Sequence, residues 1–368
     1  MADAGMEALA RNVLDYALAL RPGEKLLIEG EAGCEPLVGG LIEEAYRRGA
    51  VPYFDVQVPR LRRAWLMGST REQMDLQTGW HLARAQQMDA FLWILAGDNY
   101  FEYADVPGKT MQEWNLAAKP VLDFKLTKKW SLLRFPTPAG AQAAGMSSEA
   151  FEEFVYRVST MDYSRMDKAM EPLVALMERT NRVDIKGPGT DLSFSIKDIP
   201  VVKCAGRLNI PDGEVFTAPV RDSVNGRITY NAPSLYDGTV YERVSLLFRE
   251  GKVIEATGNL PERINEILDT DEGGRYVGEF ALGVNPWVEK PMQDILFDEK
   301  IRGSLHFTPG EAYEDADNGN KSAVHWDLVL IQTPEWGGGE IWFDGVLVRK
   351  DGRFVLPELE ALNPERLV

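Results

Sequence analysis

The sequence predicts an α/β chain in two parts: an N-terminal α/β domain over residues 1–183, with a mainly parallel sheet flanked by helices, and a C-terminal strand-rich α+β domain over residues 184–368. Three observations lead there. Helical and strand-like patterns alternate through the first half. The strands of that half read as apolar runs, as in a parallel sheet covered on both faces. After Asn181 the texture changes to short strands divided by Gly, Pro and Asn-Gly or Asp-Gly turns. At 368 residues the chain can bury two cores.

Taken in order, Met6 to Leu20 places Leu9, Val13, Leu14, Ala17 and Leu18 at helical spacing, and Pro22-Gly23 ends the helix. Lys25–Glu29 is a short buried strand. Pro36–Arg48 is helical, with Leu37, Leu41, Ile42 and Ala45 on one face and Gly49 as its stop. Val51–Val56 is the next strand, and a helical region runs from about Leu61 to Gln87. Ala90–Ala96 is a continuous apolar run, and Trp130–Phe135 is a further strand. Ser147–Arg179 reads as helix from a Ser-Ser-Glu start. Beyond it, Leu192, Phe194 and Ile196 alternate strictly, and turns at Asn225-Gly226, Asp237-Gly238, Asp344-Gly345 and Asp351-Gly352 punctuate strands as far as Lys350. One helix, Glu262–Leu268, interrupts them. There is no low-complexity linker and no internal repeat. Gly30-x-x-Gly33 lacks both GxGxxG and GK[ST], so it reads as a plain strand-to-helix turn.

A net charge of −17 disfavours nucleic acid or an anionic membrane as the main partner and favours divalent cations. Met1–Ala10 has no basic region leading into an apolar core, and no apolar run is long enough to span a bilayer. Cys34 and Cys204 stand far apart with no CxxC, as small core residues in a reducing compartment would. These features give a cytoplasmic expectation.

Histidine is scarce, with three in the chain, and two of them, His306 and His325, fall in one acidic, strand-like stretch. In an extended segment, residues i and i+2 share a face, so His325 and Asp327 can hold one ion together. His306 sits between Leu305 and Phe307, which point to the opposite face. The third, His81, has no carboxylate at i+4 and reads as an ordinary surface or core residue. Glu214 and Glu279 lie in apolar strand-like runs, where a carboxylate is costly unless paired or metal-bound. Asp298-Glu299 precede His306, and Tyr313 follows it by seven residues. Two imidazoles and at least four carboxylates exceed what one catalytic zinc uses and suit two metals sharing a bridging carboxylate. The plain alternative is a pair of buried, hydrogen-bonded histidines and salt-bridged core acids.

In four blocks the sequence resembles the aminopeptidase T / aminopeptidase S (PepS) family of dinuclear-metal leucyl aminopeptidases. The blocks are DGEVFTAPVRDSVNG (Asp212–Gly226), GEFALGVNP (Gly278–Pro286), ILFDEKIRGSLHF (Ile295–Phe307) and SAVHWDLV (Ser322–Val329), with a further MDKAMEPLVALM at Met166–Met177. The resemblance implies that Glu214 is a metal ligand, that Glu279 bridges two ions, that His306 binds one of them and that His325 and Asp327 bind the other. Glu299 falls near a further ligand, although its spacing to His306 is about two residues longer than in some members. Tyr313 would donate a hydrogen bond to the tetrahedral intermediate, and an unligated oxygen of Glu279 or Glu214 would act as base.

The resemblance also implies a metallo-aminopeptidase acting on short peptides, with two divalent ions (Zn, Co or Mn) and a homodimeric assembly; the nine tryptophans and twelve tyrosines agree with an aromatic interface. Two other readings stand beside it. His306, His325 and Asp327 alone form the two-histidine, one-carboxylate set of iron oxygenases, and ring-cleaving dihydroxypyridine dioxygenases are similar in fold to this family. Glu214 and Glu279 argue against that reading, since an open iron site needs fewer acids. A non-catalytic binding protein needs no clustered metal ligands at all.

Overall fold

The structure is a computed structural model and describes residues 2–368, so of the opening segment only Met1 lies outside it. In chain order the first part contains α1 (Ala2–Arg11, continued by a π turn over Asn12–Ala17), β1 (Lys25–Glu31), α2 (Glu35–Arg47), β2 (Val51–Gln57), α3 (Pro59–Gly68), α4 (Arg71–Ala85), β3 (Ala90–Leu95), α5 (Gly108–Leu126), β4 (Lys129–Arg134), α6 (Pro138–Ala143) and α7 (Ser148–Ser159). β2, β1, β3 and β4 pair in that order, all parallel. Leu26, Ile28, Leu92 and Ile94 meet Leu9 of α1 and Leu37 and Leu41 of α2 on one face. Leu27 and Phe91 point the other way, onto Ala85, Met88 and Val121. The apolar runs of β1 and β3 are therefore strands buried on both sides.

Two expected helices are each divided. The region from Leu61 to Gln87 breaks at Ser69-Thr70, where the Thr70 hydroxyl accepts from the Gln73 N–H and caps α4. The region from Ser147 to Arg179 breaks before Asp162, which caps α8 (Tyr163–Glu178) in the same way. α5 and α6 were not expected from the sequence.

The packing divides one helix earlier than the change of texture near residue 183. One unit runs to Thr160 and takes back Gly206–Pro211; the other holds Met161–Ala205 and Asp212–Val368. The reason is long-range bonding. The Tyr163 hydroxyl at the start of α8 accepts from the Asp212 N–H at 2.9 Å, and Arg165 donates to the Val368 carbonyl at 2.9 Å. Conversely Asn209–Ile210 pairs in parallel with β4.

The second unit continues with β5 (Arg182–Gly187), β6 (Thr190–Ser195), β7 (Val202–Cys204), then β8 (Asn209–Ile210, in the first unit), β9 (Glu214–Thr217), β10 (Asn225–Thr229), β11 (Ser234–Tyr236), β12 (Thr239–Tyr241), β13 (Ser245–Arg249), β14 (Lys252–Thr257), α9 (Pro261–Leu268), β15 (Val277–Gly283), α10 (Ile295–Asp298), β16 (Ser304–Pro309), β17 (Val329–Ile331), β18 (Glu340–Phe343), β19 (Val346–Lys350) and β20 (Arg353–Phe354). An antiparallel sheet of order β14-β13-β10-β6-β5-β18-β19-β20 lies beside a smaller one of order β17-β16-β15-β9-β7. Aromatic rings join them. Phe194 on β6 stands 5.0 Å, centroid to centroid, from Phe280 on β15, and Phe248 on β13 stands 5.8 Å from Phe307 on β16. That layer leaves the other face of the small sheet for different residues.

Candidate metal centre

Register decides which side chains share that other face. His306 pairs with Ala281, which pairs with Phe216; Thr308 pairs with Glu279, and Gly283 with Glu214. Residues directly opposite one another point the same way, and so do residues two apart along a strand. Glu214, Glu279, His306 and Thr308 thus emerge together from β9, β15 and β16, and all four are buried. On that face the polar members form the site, beside Phe216 and Ala281, while Phe280 and Phe307 point the other way into the aromatic layer. Just before β9, Gly213 has a φ of +138°, and a Cβ there would stand 2.9 Å from the Asn285 Cβ. Glycine is needed at this bend to bring Asp212 and Glu214 in.

His325 and Asp327 do not lie in a regular strand, as their pattern had suggested. They sit on an extended segment held by a single bridge between Gly310 and His325, just before β17. The i, i+2 geometry survives: His325 Nε2 is 3.3 Å from Asp327 Oδ1. His325 Nδ1 donates to the Glu311 carbonyl at 2.9 Å, which directs Nε2 into the site. Asp327 Oδ1 in turn accepts from the Thr308 hydroxyl at 2.7 Å.

Glu279 lies between the two histidines. Its Oε1 is 3.0 Å from His306 Nε2, and its Oε2 is 3.4 Å from His325 Nε2. Glu214 Oε2 stands 3.4 Å from His306 Nε2. The potential ligand atoms of Glu214, Glu279 and His306 lie within 4.8 Å of one another, as do those of Glu279, His325 and Asp327, and those of Glu299, His306 and Asp327. All six acids and histidines singled out in the sequence are therefore brought together, Glu299 included despite its spacing. The seventh residue, Tyr313, lies at the rim with half its surface exposed, its ring 4.7 Å from the His325 ring and 5.8 Å from Phe216.

The electrostatics are those of a crowded acidic pocket. Burial alone would lower the His306 pKa, but Glu214 and Glu279 outweigh it and push it up to about 10. For His325, Asp327 does the same against burial, to about 11. Burial raises Glu299 to about 8 even with Lys300 beside it, and raises Glu214 as well. Asp327 and Glu279 are held low, the histidines overcoming their burial. The Tyr313 phenol is kept well above its usual range by desolvation and then by the carboxylates it faces, so it stays protonated.

These residues fit a metal. Glu214 Oε2 and His325 Nε2 are buried without a hydrogen-bond partner, and both are aimed at the cluster. Imidazole and carboxylate suit a borderline divalent ion. Sequence reading missed Thr308, which holds Asp327, and the buried Lys300 beside Glu214 and Glu299. A lysine within Phe297-Asp298-Glu299-Lys300-Ile301, a segment otherwise apolar and acidic, was the available signal for the second. His81 lies in the other unit, bonded to Gln77.

The comparisons with known proteins agree with this chemistry. Residues 2–353 match the family described as thermophilic metalloprotease (M29). Aminopeptidase T of Thermus thermophilus is 28% identical over 408 aligned residues, covering 95% of this chain and 98% of that protein. Aminopeptidase 2 of Geobacillus stearothermophilus is 26% identical over 414, covering 95% of each. The solved structure of wild-type AmpT from Thermus thermophilus shares the fold, with a TM-score of 0.82 over 96% of this chain and 99% of that one, at 24% identity. The motif resemblance to the aminopeptidase T and S group is borne out, and the iron dioxygenase alternative finds no support in the family or in these relatives. Matched along nearly its whole length, the chain belongs to the thermophilic metalloprotease family, M29.

Proposed function

We propose that this protein is an aminopeptidase that releases N-terminal residues, apolar ones preferred, from short peptides, using two divalent ions held on the small sheet. The observation that carries the reading is the placement of Glu279, with one oxygen facing His306 at 3.0 Å and the other facing His325 at 3.4 Å. A carboxylate so placed suits a bridge. Glu214 and His306 would complete one ligand set, and His325 and Asp327 the other. Glu299, close to both His306 and Asp327, supplies a further oxygen. Zinc, cobalt and manganese all suit the donors.

Bound there, such ions would supply an activated water at neutral pH and charge to polarise the scissile carbonyl. The chain's own groups do the rest. The carboxylates of Glu279 and Glu214, which border the cluster, are the candidates to accept the proton of the attacking water. The Tyr313 phenol, kept protonated and standing at the rim, donates to the oxygen on which charge develops. The acidic face attracts the substrate's α-ammonium and positions the first peptide bond.

In this reading the catalytic residues all come from the C-terminal strand-rich part, and the protein works as a cytoplasmic homodimer. Supporting the dimer, large apolar side chains in the first unit, such as Phe54 and Trp80, are more than half exposed (63% and 61%). Light scattering returning twice the monomer mass is the expected result. Among the described residues no helix is long and apolar enough to cross a membrane. The test of the metal reading is metal content by mass spectrometry on the purified protein. Close to two divalent ions per chain is expected, and a fully active protein without any would overturn it.

A further inference from the structure

Lys300 is a charged side chain with no exposed surface, two residues beyond the end of α10. Its ammonium stands 2.5 Å from Glu214 Oε1, 2.5 Å from Glu299 Oε1 and 3.5 Å from Asp212 Oδ1. Three carboxylates on one buried ammonium offset the cost of its burial, which a lone charge could not bear. The backbone around it is tied down as well. The Lys300 N–H donates to the Phe297 carbonyl, its own carbonyl accepts from the Asn285 N–H at 3.0 Å, and the Asn285 amide donates to the Asp212 carbonyl at 2.7 Å.

The consequence lies in which oxygens are used. On Glu214, Lys300 takes Oε1 and leaves Oε2 with no hydrogen-bond partner, 3.4 Å from His306. We infer that Lys300 is the positioning residue of the metal centre: one ammonium fixes the carboxylates of Glu214 and Glu299, so that Glu214 turns its remaining oxygen toward His306 and Glu299 is held within reach of His306 and Asp327. It also accounts for Asp212. With Cys204 and Glu214, Asp212 makes the one grouping of candidate ligands among the described residues that includes no histidine. Lys300 already contacts two of its three members, so that grouping has its cation built in.

This inference rests on the reading of Glu214 and Glu299 as metal ligands, and its test separates the two. Lys300→Met keeps an unbranched side chain of similar reach but removes the ammonium. Metal affinity is measured by chelator competition on metal-free protein with zinc or manganese alone, beside the rise in melting temperature on metal addition. In the variant, the dissociation constant is expected to rise at least tenfold, the melting rise to shrink, and kcat to fall with KM within about threefold. A folded Lys300→Met protein that binds metal as the wild type does overturns the role of Lys300 and leaves the metal reading intact. Wild-type protein that shows no saturable binding overturns the metal reading itself. If Lys300→Met does not fold, Asp212→Asn loosens the ammonium without touching Glu214. It should weaken metal binding severalfold, and unchanged binding there refutes the inference.

Discussion

Replacing Glu279 by Gln removes a charge and almost no volume, so it separates a bridging ligand from an ordinary buried acid. In the structure the carboxylate is 3.0 Å from one imidazole and 3.4 Å from the other. At an effective dielectric constant of ~20, a unit charge at such distances interacts with each partner by roughly 5 kcal/mol. The net loss is smaller, because the Gln carbonyl still offers one oxygen and the desolvation of a buried anion is relieved. We expect about 3–4 kcal/mol, which is ~10²–10³ in metal affinity and in kcat/KM. The fold should survive. The histidines whose protonation Glu279 helps to hold up can give up their protons rather than stay charged and unpaired. Peptide hydrolysis and circular dichroism on the same preparation decide it. Turnover within twofold of wild type would remove Glu279 from the site, and a protein that no longer folds would mark it as a structural acid.

Two further expectations come from the geometry. His306 and His325 have pKa values raised above the ordinary 6.5, to about 10 and about 11, so in the metal-free site both are protonated at neutral pH. Metal must displace those protons, so affinity should climb as pH rises toward about 10, and activity at limiting metal should fall steadily as pH is lowered from there. A flat profile by chelator competition would contradict the assignment. Thr308→Val deletes the 2.7 Å hydrogen bond to Asp327 while keeping the shape of the side chain. It should raise the metal dissociation constant about 10–100-fold with little loss of thermal stability, and an unchanged constant would show that Asp327 is oriented by other contacts.

Much of this was legible in the sequence, because local patterning and tertiary structure agree. The apolar runs of β1 and β3 are buried on both faces, and strict alternation along β15 and β16 separates the aromatic layer from Glu279, His306 and Thr308. What escaped depends on contacts distant in sequence. α5 was hidden by an internal Pro120 and by exposed Leu116 and Leu122, which blur its apolar face. The affiliation of α8 with the second unit rests on Tyr163 meeting Asp212, and that of Asn209–Ile210 with the first on a two-residue pairing, too short to show a period. The role of Lys300 escaped for the same reason. Its meaning appears only when β9 brings Glu214 alongside, 86 residues away in the chain.

Whether the protein is a metal-dependent exopeptidase can be read from a single pair of substrates. A leucyl peptide with a free α-amino group and the same peptide N-acetylated are incubated with the protein and added zinc, cobalt or manganese, with and without a chelator. The acidic site should anchor the ammonium and lose that anchor when the nitrogen becomes a neutral amide. Leucine should be released from the free peptide only, with release abolished by the chelator and restored by metal. Equal cleavage of both peptides, or cleavage indifferent to the chelator, would contradict it.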